Sequence, residues 1–147
     1  MKRLTLLFAT LLLTLSATAD NGTGTMTEHT LTHKGVEYTY NIYLPNDLPA
    51  DAPLVIFFHG YGSTNIHKRD LGRNAAADKH GFAVCYPQGP IDNRGHSCWA
   101  VGYSFHTDAG WERDDIGFTK RLVRHLQREY GLSRHNVFAT GHSNGGE

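Results

Sequence analysis

The sequence predicts an α/β fold in which a mostly parallel sheet carries helices on both faces. Three observations lead there. Short, continuously apolar runs, Leu54-Val55-Ile56-Phe57-Phe58 and Phe82-Ala83-Val84-Cys85-Tyr86, read as strands buried on both faces. Helical patterns alternate with them and end at glycines, Gly81 and Gly131. A further strand, Val137-Phe138-Ala139-Thr140, runs straight into Gly141-His142-Ser143-Asn144-Gly145, a GxSxG pattern that needs a sharp strand-to-helix turn.

Taken in order, the chain opens with Lys2 and Arg3, an apolar run from Leu4 to about Leu15, and Ala17-Thr18-Ala19. This is the form of a cleaved signal peptide over residues 1–19. The apolar run is well short of the roughly 20 residues a bilayer span needs, so a secreted protein, extracellular or periplasmic, is expected. After a polar lead-in, His29–His33 and Val36–Leu44 flank Lys34-Gly35 as a hairpin. The second strand alternates, with Val36, Tyr38, Tyr40, Ile42 and Leu44 on one face and Glu37, Thr39 and Asn41 on the other, as in a half-solvated antiparallel strand. His29 and His33 lie about 13 Å apart along such a strand, too far for one ion, and no metal is expected. A strand over residues 54–58 ends at the glycine loop His59-Gly60-Tyr61-Gly62, and residues 70–80 form a short helix before the strand at 82–86. Residues 88–113 show no period and read as a long surface loop, a length usually tied to function or disorder. Asp114 and Asp115 open a helix with its apolar face at Ile116, Thr119, Leu122, Val123, Leu126 and Tyr130. Their place at the positive end of the helix dipole favours capping over catalysis.

Composition narrows the partners. Fourteen basic and fourteen acidic residues cancel, which leaves no basic field for nucleic acid or, once the signal is removed, for an anionic membrane. Cys85 and Cys98 would meet an oxidising compartment, but sequence alone does not decide whether they pair.

The chemistry lies in two loops. GxSxG places Ser143 at the carboxyl end of a strand as a nucleophile, with Gly141 and Gly145 leaving room for a tight elbow. The loop of His59, Gly60, Tyr61 and Gly62 ends an earlier strand, where half of an oxyanion hole is expected. The backbone N–H groups of Tyr61 and Asn144 are the candidate donors to a developing oxyanion. Trp99, Tyr103, Phe105 and Trp111 give the long loop four aromatics; Trp99, Tyr103 and Trp111 are candidates to shape a substrate pocket, or the group covers the sheet. His59 is expected to support the loop rather than act as a base, and no pattern brings His96 or His106 to the serine. His142, beside Ser143, cannot turn back on it.

The runs PLVIFFHGYG, GFAVCYPQG, CW, DDIGF and VFATGHSNGG together resemble the secreted esterases that include polyhydroxybutyrate depolymerases and type-1 feruloyl esterases. The resemblance covers the chain from about Lys34 onward. It implies an α/β-hydrolase fold, with residues 20–147 a partial esterase domain cut just after the nucleophile elbow. It implies ester hydrolysis through an acyl-enzyme on Ser143 without a cofactor, acting on plant cell-wall feruloyl esters or hydroxyalkanoate polyesters. The order nucleophile, acid, histidine places the two remaining catalytic groups after Ser143, hence beyond residue 147, so the piece alone is expected to be inactive and poorly soluble. A secreted peptidase with the same elbow and a non-catalytic remnant are the alternatives.

Overall fold

The computed structural model describes residues 22–65, 71–104 and 113–147. The signal-peptide reading for residues 1–19, the helix start at residue 70, and Phe105, His106 and Trp111 lie outside the described residues.

Five strands, β1 (Thr25–His33), β2 (Val36–Leu44), β3 (Leu54–Phe58), β4 (Ala83–Pro87) and β5 (Val137–Gly141), form one sheet in the order β1-β2-β4-β3-β5. The hairpin pairs β1 with β2 along its whole length, from Thr25 opposite Leu44 to His33 opposite Val36. Lys34 (φ 47°) and Gly35 (φ 80°) turn it, and positive φ at both central residues matches the twist of the flanking strands. β2 runs antiparallel to β4, whereas β3 is parallel to both β4 and β5. The parallel part of the mixed sheet is therefore β4-β3-β5, where the crossovers carry helices.

Those helices are α1 (Arg73–His80) and α2 (Asp115–Tyr130). They cover opposite faces. Against one face Phe118, Leu122 and Leu126 of α2 pack on Tyr38, Tyr40, Ile42, Leu54, Ile56 and Cys85, with Phe118 stacked on Tyr38 at 3.7 Å. Against the other, Ala77 of α1 meets Tyr43, Val84 and Tyr86. Hydroxyls tie this second layer down: Tyr43 donates to Asp78 at 2.6 Å and Tyr86 to Asn74 at 2.7 Å.

Three expectations change. β2 is not half-solvated, because α1 and its neighbours bury Asn41 and Tyr43 as well. The buried stripe of α2 is Asp115, Phe118, Leu122 and Leu126, while Ile116 is 70% exposed. Residues 88–104 are not a surface loop throughout, since Asp92, Ser97, Cys98 and Trp99 are buried and Ile91 bridges to Ser97. Cys85 and Cys98 are buried thiols with no disulfide between them, and burial pushes the Cys98 thiol up to about 11.

Asp114 caps α2 by accepting from the Gly117 N–H at 2.8 Å, a contact worth about 1 kcal/mol. Lys34 and His33 lie 2.8 and 3.0 Å from its other oxygen and hold its carboxyl well below the usual range. Asp115 has a different role from the capping expected of it. It is buried, accepting from Tyr38 Oη at 2.6 Å, Ala100 N–H at 2.7 Å and the Arg113 guanidinium at 2.9 Å. One carboxylate thus anchors the loop after Trp99 to the sheet and to α2. β5 ends the sheet, paired with β3 alone among the described residues, and leaves Phe138 57% exposed.

Candidate active site

Register brings the two chemical loops together. Phe58 at the end of β3 stands opposite Gly141 at the end of β5, and the His142 N–H donates to the Phe58 carbonyl at 3.1 Å. The loop of His59 to Gly62 and the GxSxG turn therefore leave adjacent carboxyl ends of parallel strands, where open α/β sheets place their ligands. After the turn, Ser143–Gly146 form a single 3-10 turn.

The turn is strained at one residue. Ser143 has φ +51°, a left-handed conformation that costs a residue bearing Cβ about 1–2 kcal/mol. The Gly145 N–H to His142 carbonyl bond, at 3.0 Å, closes the turn around it. Ser143 is exposed, and among the described residues no side chain is hydrogen bonded to its Oγ.

Glycine is required on either side by space. A Cβ on Gly141 would lie 1.9 Å from the Gly145 carbonyl oxygen, and one on Gly145 would lie 2.3 Å from the Phe58 oxygen and 2.5 Å from the His59 oxygen. The backbone of the turn therefore rests on the backbone at the end of β3 and the start of the loop from His59 to Gly62. Gly60 completes the contact from the other side, where its Cβ would come within 3.5 Å of Ser143 Cβ and 3.2 Å of the His142 oxygen.

His59 is held as a neutral ring. Its Nε2 accepts from the Gly89 N–H at 2.9 Å, with the Gln88 amide at 3.0 Å, so the proton lies on Nδ1, 2.8 Å from the Gly60 carbonyl. Burial pushes the imidazole below its ordinary value of 6.5, with the Gly60 carbonyl opposing the shift. It braces the loop and does not reach Ser143. Tyr61 is tethered by its hydroxyl to Asp92 at 2.8 Å, and Gly62 (φ 66°) donates its N–H to the Ser97 carbonyl.

Asn144 and Trp99 form a reciprocal pair: the Trp99 N–H donates to Asn144 Oδ1 at 2.8 Å and Asn144 Nδ2 donates to the Trp99 carbonyl at 3.1 Å. The indole N–H of Trp99 donates to the His59 carbonyl at 3.0 Å while its ring packs edge-on to Phe58. Trp99 is thus buried between both loops. Asn144, also buried, lies within the 3-10 turn of Ser143–Gly146. Tyr103 lies beside them, its phenol raised by a hydrogen bond to Glu147 and then by burial. Trp111 lies outside the described residues.

Two cavities flank the turn. One, of about 540 Å³, is lined by Ser143, His142, Gly60, Tyr61, Phe57 and Arg73 among others. The second, of about 550 Å³, is lined by Phe58, Trp99, Asn144, Ile116 and Glu147 with others. Trp99 belongs to the second and makes no part of the cavity that Ser143 faces. Sequence reasoning did not single out Arg73, Asp92 or Gln88, because their relation to Ser143 is set by the crossing of loops and not by spacing.

A family described as Esterase PHB depolymerase matches residues 38–147. A bifunctional acetylxylan esterase/xylanase of Neocallimastix patriciarum is 26% identical over 119 residues, covering 77% of this chain and 15% of that protein. Poly(3-hydroxyalkanoate) depolymerase C of Paucimonas lemoignei is 27% identical over 103 residues, covering 70% of this chain and 24% of that one. Among solved structures, an acetyl xylan esterase from Aspergillus awamori superposes with a TM-score of 0.64 at 26% identity, over 81% of this chain and 43% of that chain. The fold is that of α/β-hydrolase esterases, and the chain spans less than half the length of each of these proteins.

Proposed function

The chain belongs to the PHB depolymerase esterase family, and from that premise we propose that it carries the nucleophile and oxyanion hole of a secreted serine carboxylic-ester hydrolase. The observation that carries this reading is the left-handed Ser143, exposed at the carboxyl end of β5 with Gly60 packed against it. Ser143 Oγ attacks the ester carbonyl. As the carbonyl oxygen becomes anionic, the N–H groups of Tyr61 and Asn144 receive it, and loss of the alcohol leaves an acyl-enzyme that water then cleaves. The base that takes the serine proton, and the acid that orients it, come from outside the described residues. His59 is excluded from that role by its engaged nitrogens, and no cofactor enters the scheme.

The substrate is an ester of a polymer, either the hydroxyalkanoate chain or an acylated plant cell-wall polysaccharide, feruloyl or acetyl. The names of the relatives support the polyester and the acetylated xylan. Residues 1–19 direct secretion and are removed. The test is hydrolysis of 4-nitrophenyl acetate, methyl ferulate, acetylated xylan and a 3-hydroxybutyrate oligomer by the intact protein and by Ser143→Ala. Activity on at least one that vanishes in the variant supports the reading, and activity that survives in it removes Ser143 from the chemistry.

A further inference from the structure

The turn that carries Tyr61 is held from outside by a second loop. Ser63 donates its N–H to the Gly60 carbonyl at 3.1 Å, which closes residues 60–63 into a tight turn with Tyr61 and Gly62 at its centre. One hydrogen bond does not offset the entropy of the residues it orders. The remaining fastenings come from residues 92–97. Tyr61 donates its hydroxyl to Asp92 Oδ2 at 2.8 Å, Gly62 donates its N–H to the Ser97 carbonyl at 2.8 Å, and Ser97 Oγ donates to the Ser63 carbonyl.

Asp92 is itself fixed before it reaches Tyr61. The chain doubles back between Ile91 and Ser97, which pair as an isolated bridge, and the Asp92 N–H donates to the His96 carbonyl at 2.8 Å. The carboxylate divides its oxygens between two tasks. Oδ1 accepts from the N–H groups of Arg94 and His96, each at 2.9 Å, and holds the residue's own turn, while Oδ2 is given to the Tyr61 hydroxyl. Asp92 is buried, and a hydroxyl donated to a carboxylate is of the stronger, charge-assisted kind. The His96 ring lies against that of Tyr61, with centroids 5.2 Å apart, so the phenol is held at its tip and along its ring. Tyr61 in turn lines the cavity that Ser143 faces.

We propose that Asp92 is a positioning residue for ester hydrolysis: its carboxylate, acting through the Tyr61 hydroxyl, fixes the turn that presents the Tyr61 N–H to the developing oxyanion. The role of that N–H rests on the esterase reading, whereas the brace does not. A donor aimed in advance helps only in the transition state, so loosening it lowers kcat and kcat/KM together and leaves KM unchanged.

The test is 4-nitrophenyl acetate kinetics on variants of the intact protein. Tyr61→Phe removes the hydroxyl and keeps the backbone N–H. It should lower kcat about tenfold with KM within about twofold of the parent, a smaller loss than the roughly hundredfold or more of deleting a donor outright. Tyr43→Phe is the control, because it also removes a hydroxyl donated to a carboxylate, Asp78 at 2.6 Å, yet Tyr43 lines neither cavity. It should lose stability and keep kcat. Asp92→Asn leaves an oxygen for the Arg94 and His96 N–H groups and replaces the charged acceptor with an amide. It should lower kcat by a smaller factor, and the double variant should be no worse than Tyr61→Phe alone. Hydrogen exchange followed by NMR reads the brace without a substrate: both single variants should speed exchange at the Gly62 and Ser63 amides, about tenfold in Tyr61→Phe, and leave the Gly145 amide unchanged. A Tyr61→Phe protein within about twofold of the parent in kcat, single effects that multiply in the double variant, or unchanged exchange at Gly62 and Ser63 overturns the proposal. A parent that hydrolyses no ester refutes the esterase reading instead, and faster exchange at those two amides in the variants would leave the brace standing.

Discussion

Gly145→Ala and Gly146→Ala alter neighbouring residues of one turn, yet the structure separates them sharply. A Cβ on Gly146 would meet nothing closer than the Gly141 oxygen at 3.4 Å, an ordinary contact. On Gly145 it would lie 2.3 Å from the Phe58 oxygen, about 1 Å short of such a contact, and both neighbours it strikes are backbone that cannot rotate away. Either the turn or the end of β3 must move by that amount. Overpacking of this kind costs about 1–3 kcal/mol, and the upper end applies because β3 is hydrogen bonded on both sides. A displacement of 1 Å between Ser143 and the Tyr61 N–H lowers catalysis about a hundredfold. Chemical denaturation and 4-nitrophenyl acetate kinetics on the intact protein measure both. Gly146→Ala should stay near the parent in each. Two alanine variants that behave alike, or a Gly145→Ala protein within twofold of the parent in kcat/KM, would refute the packing argument.

Asn144→Ala strips the partner from two buried backbone groups of Trp99 and should lower stability by roughly 2–3 kcal/mol in urea denaturation. Trp99→Phe keeps the backbone pairing with Asn144 but loses the indole bond to the His59 carbonyl and part of the ring packing on Phe58 and His59, and should cost about 2–3 kcal/mol in the same assay. Because burial holds His59 below 6.5, the unfolded chain binds a proton there that the folded chain refuses. Its contribution is fully present above about pH 6.5 and is lost as the pH falls toward the folded value. His59→Asn should therefore flatten the fall in stability between about pH 7 and pH 5, read from unfolding curves at each pH. The mature protein should begin at Asp20, which N-terminal sequencing of secreted material determines.

Much of this was legible because local pattern and tertiary role coincide. β2 and β3 occupy the residues their apolar runs mark, and Gly81 and Gly131 close the two helices in left-handed geometry as their positions suggest. β1 begins four residues earlier than its own pattern indicates, since Thr25 to Glu28 are ordered by pairing with Asn41 to Leu44 and not by alternation. The face of α2 was misread at Ile116. Phe118, two residues on and so on nearly the opposite side of the helix, is the residue that meets Tyr38, and a helix with apolar side chains on several sides does not declare which stripe the sheet covers.

The site divides the same way. The two loops could be found because each follows a buried strand, and their juxtaposition follows from the parallel pairing of β3 and β5. What holds them was out of reach: Asn144 with Trp99, Asp115 with Ala100, and His59 with Gly89 are bonds between side chains and distant irregular backbone. Such bonds leave no period in the sequence. They also explain why residues 88–104 are ordered without regular structure.

The central claim is that Ser143 is the nucleophile, and a fluorophosphonate probe tests it without knowledge of the substrate. After reaction of the intact protein, peptide mass spectrometry should find one phosphonyl group on the segment containing Gly141 to Gly145, located on Ser143 and absent from Ser143→Ala. A protein that hydrolyses esters while the probe labels another residue, or leaves Ser143 unmodified, would contradict the account.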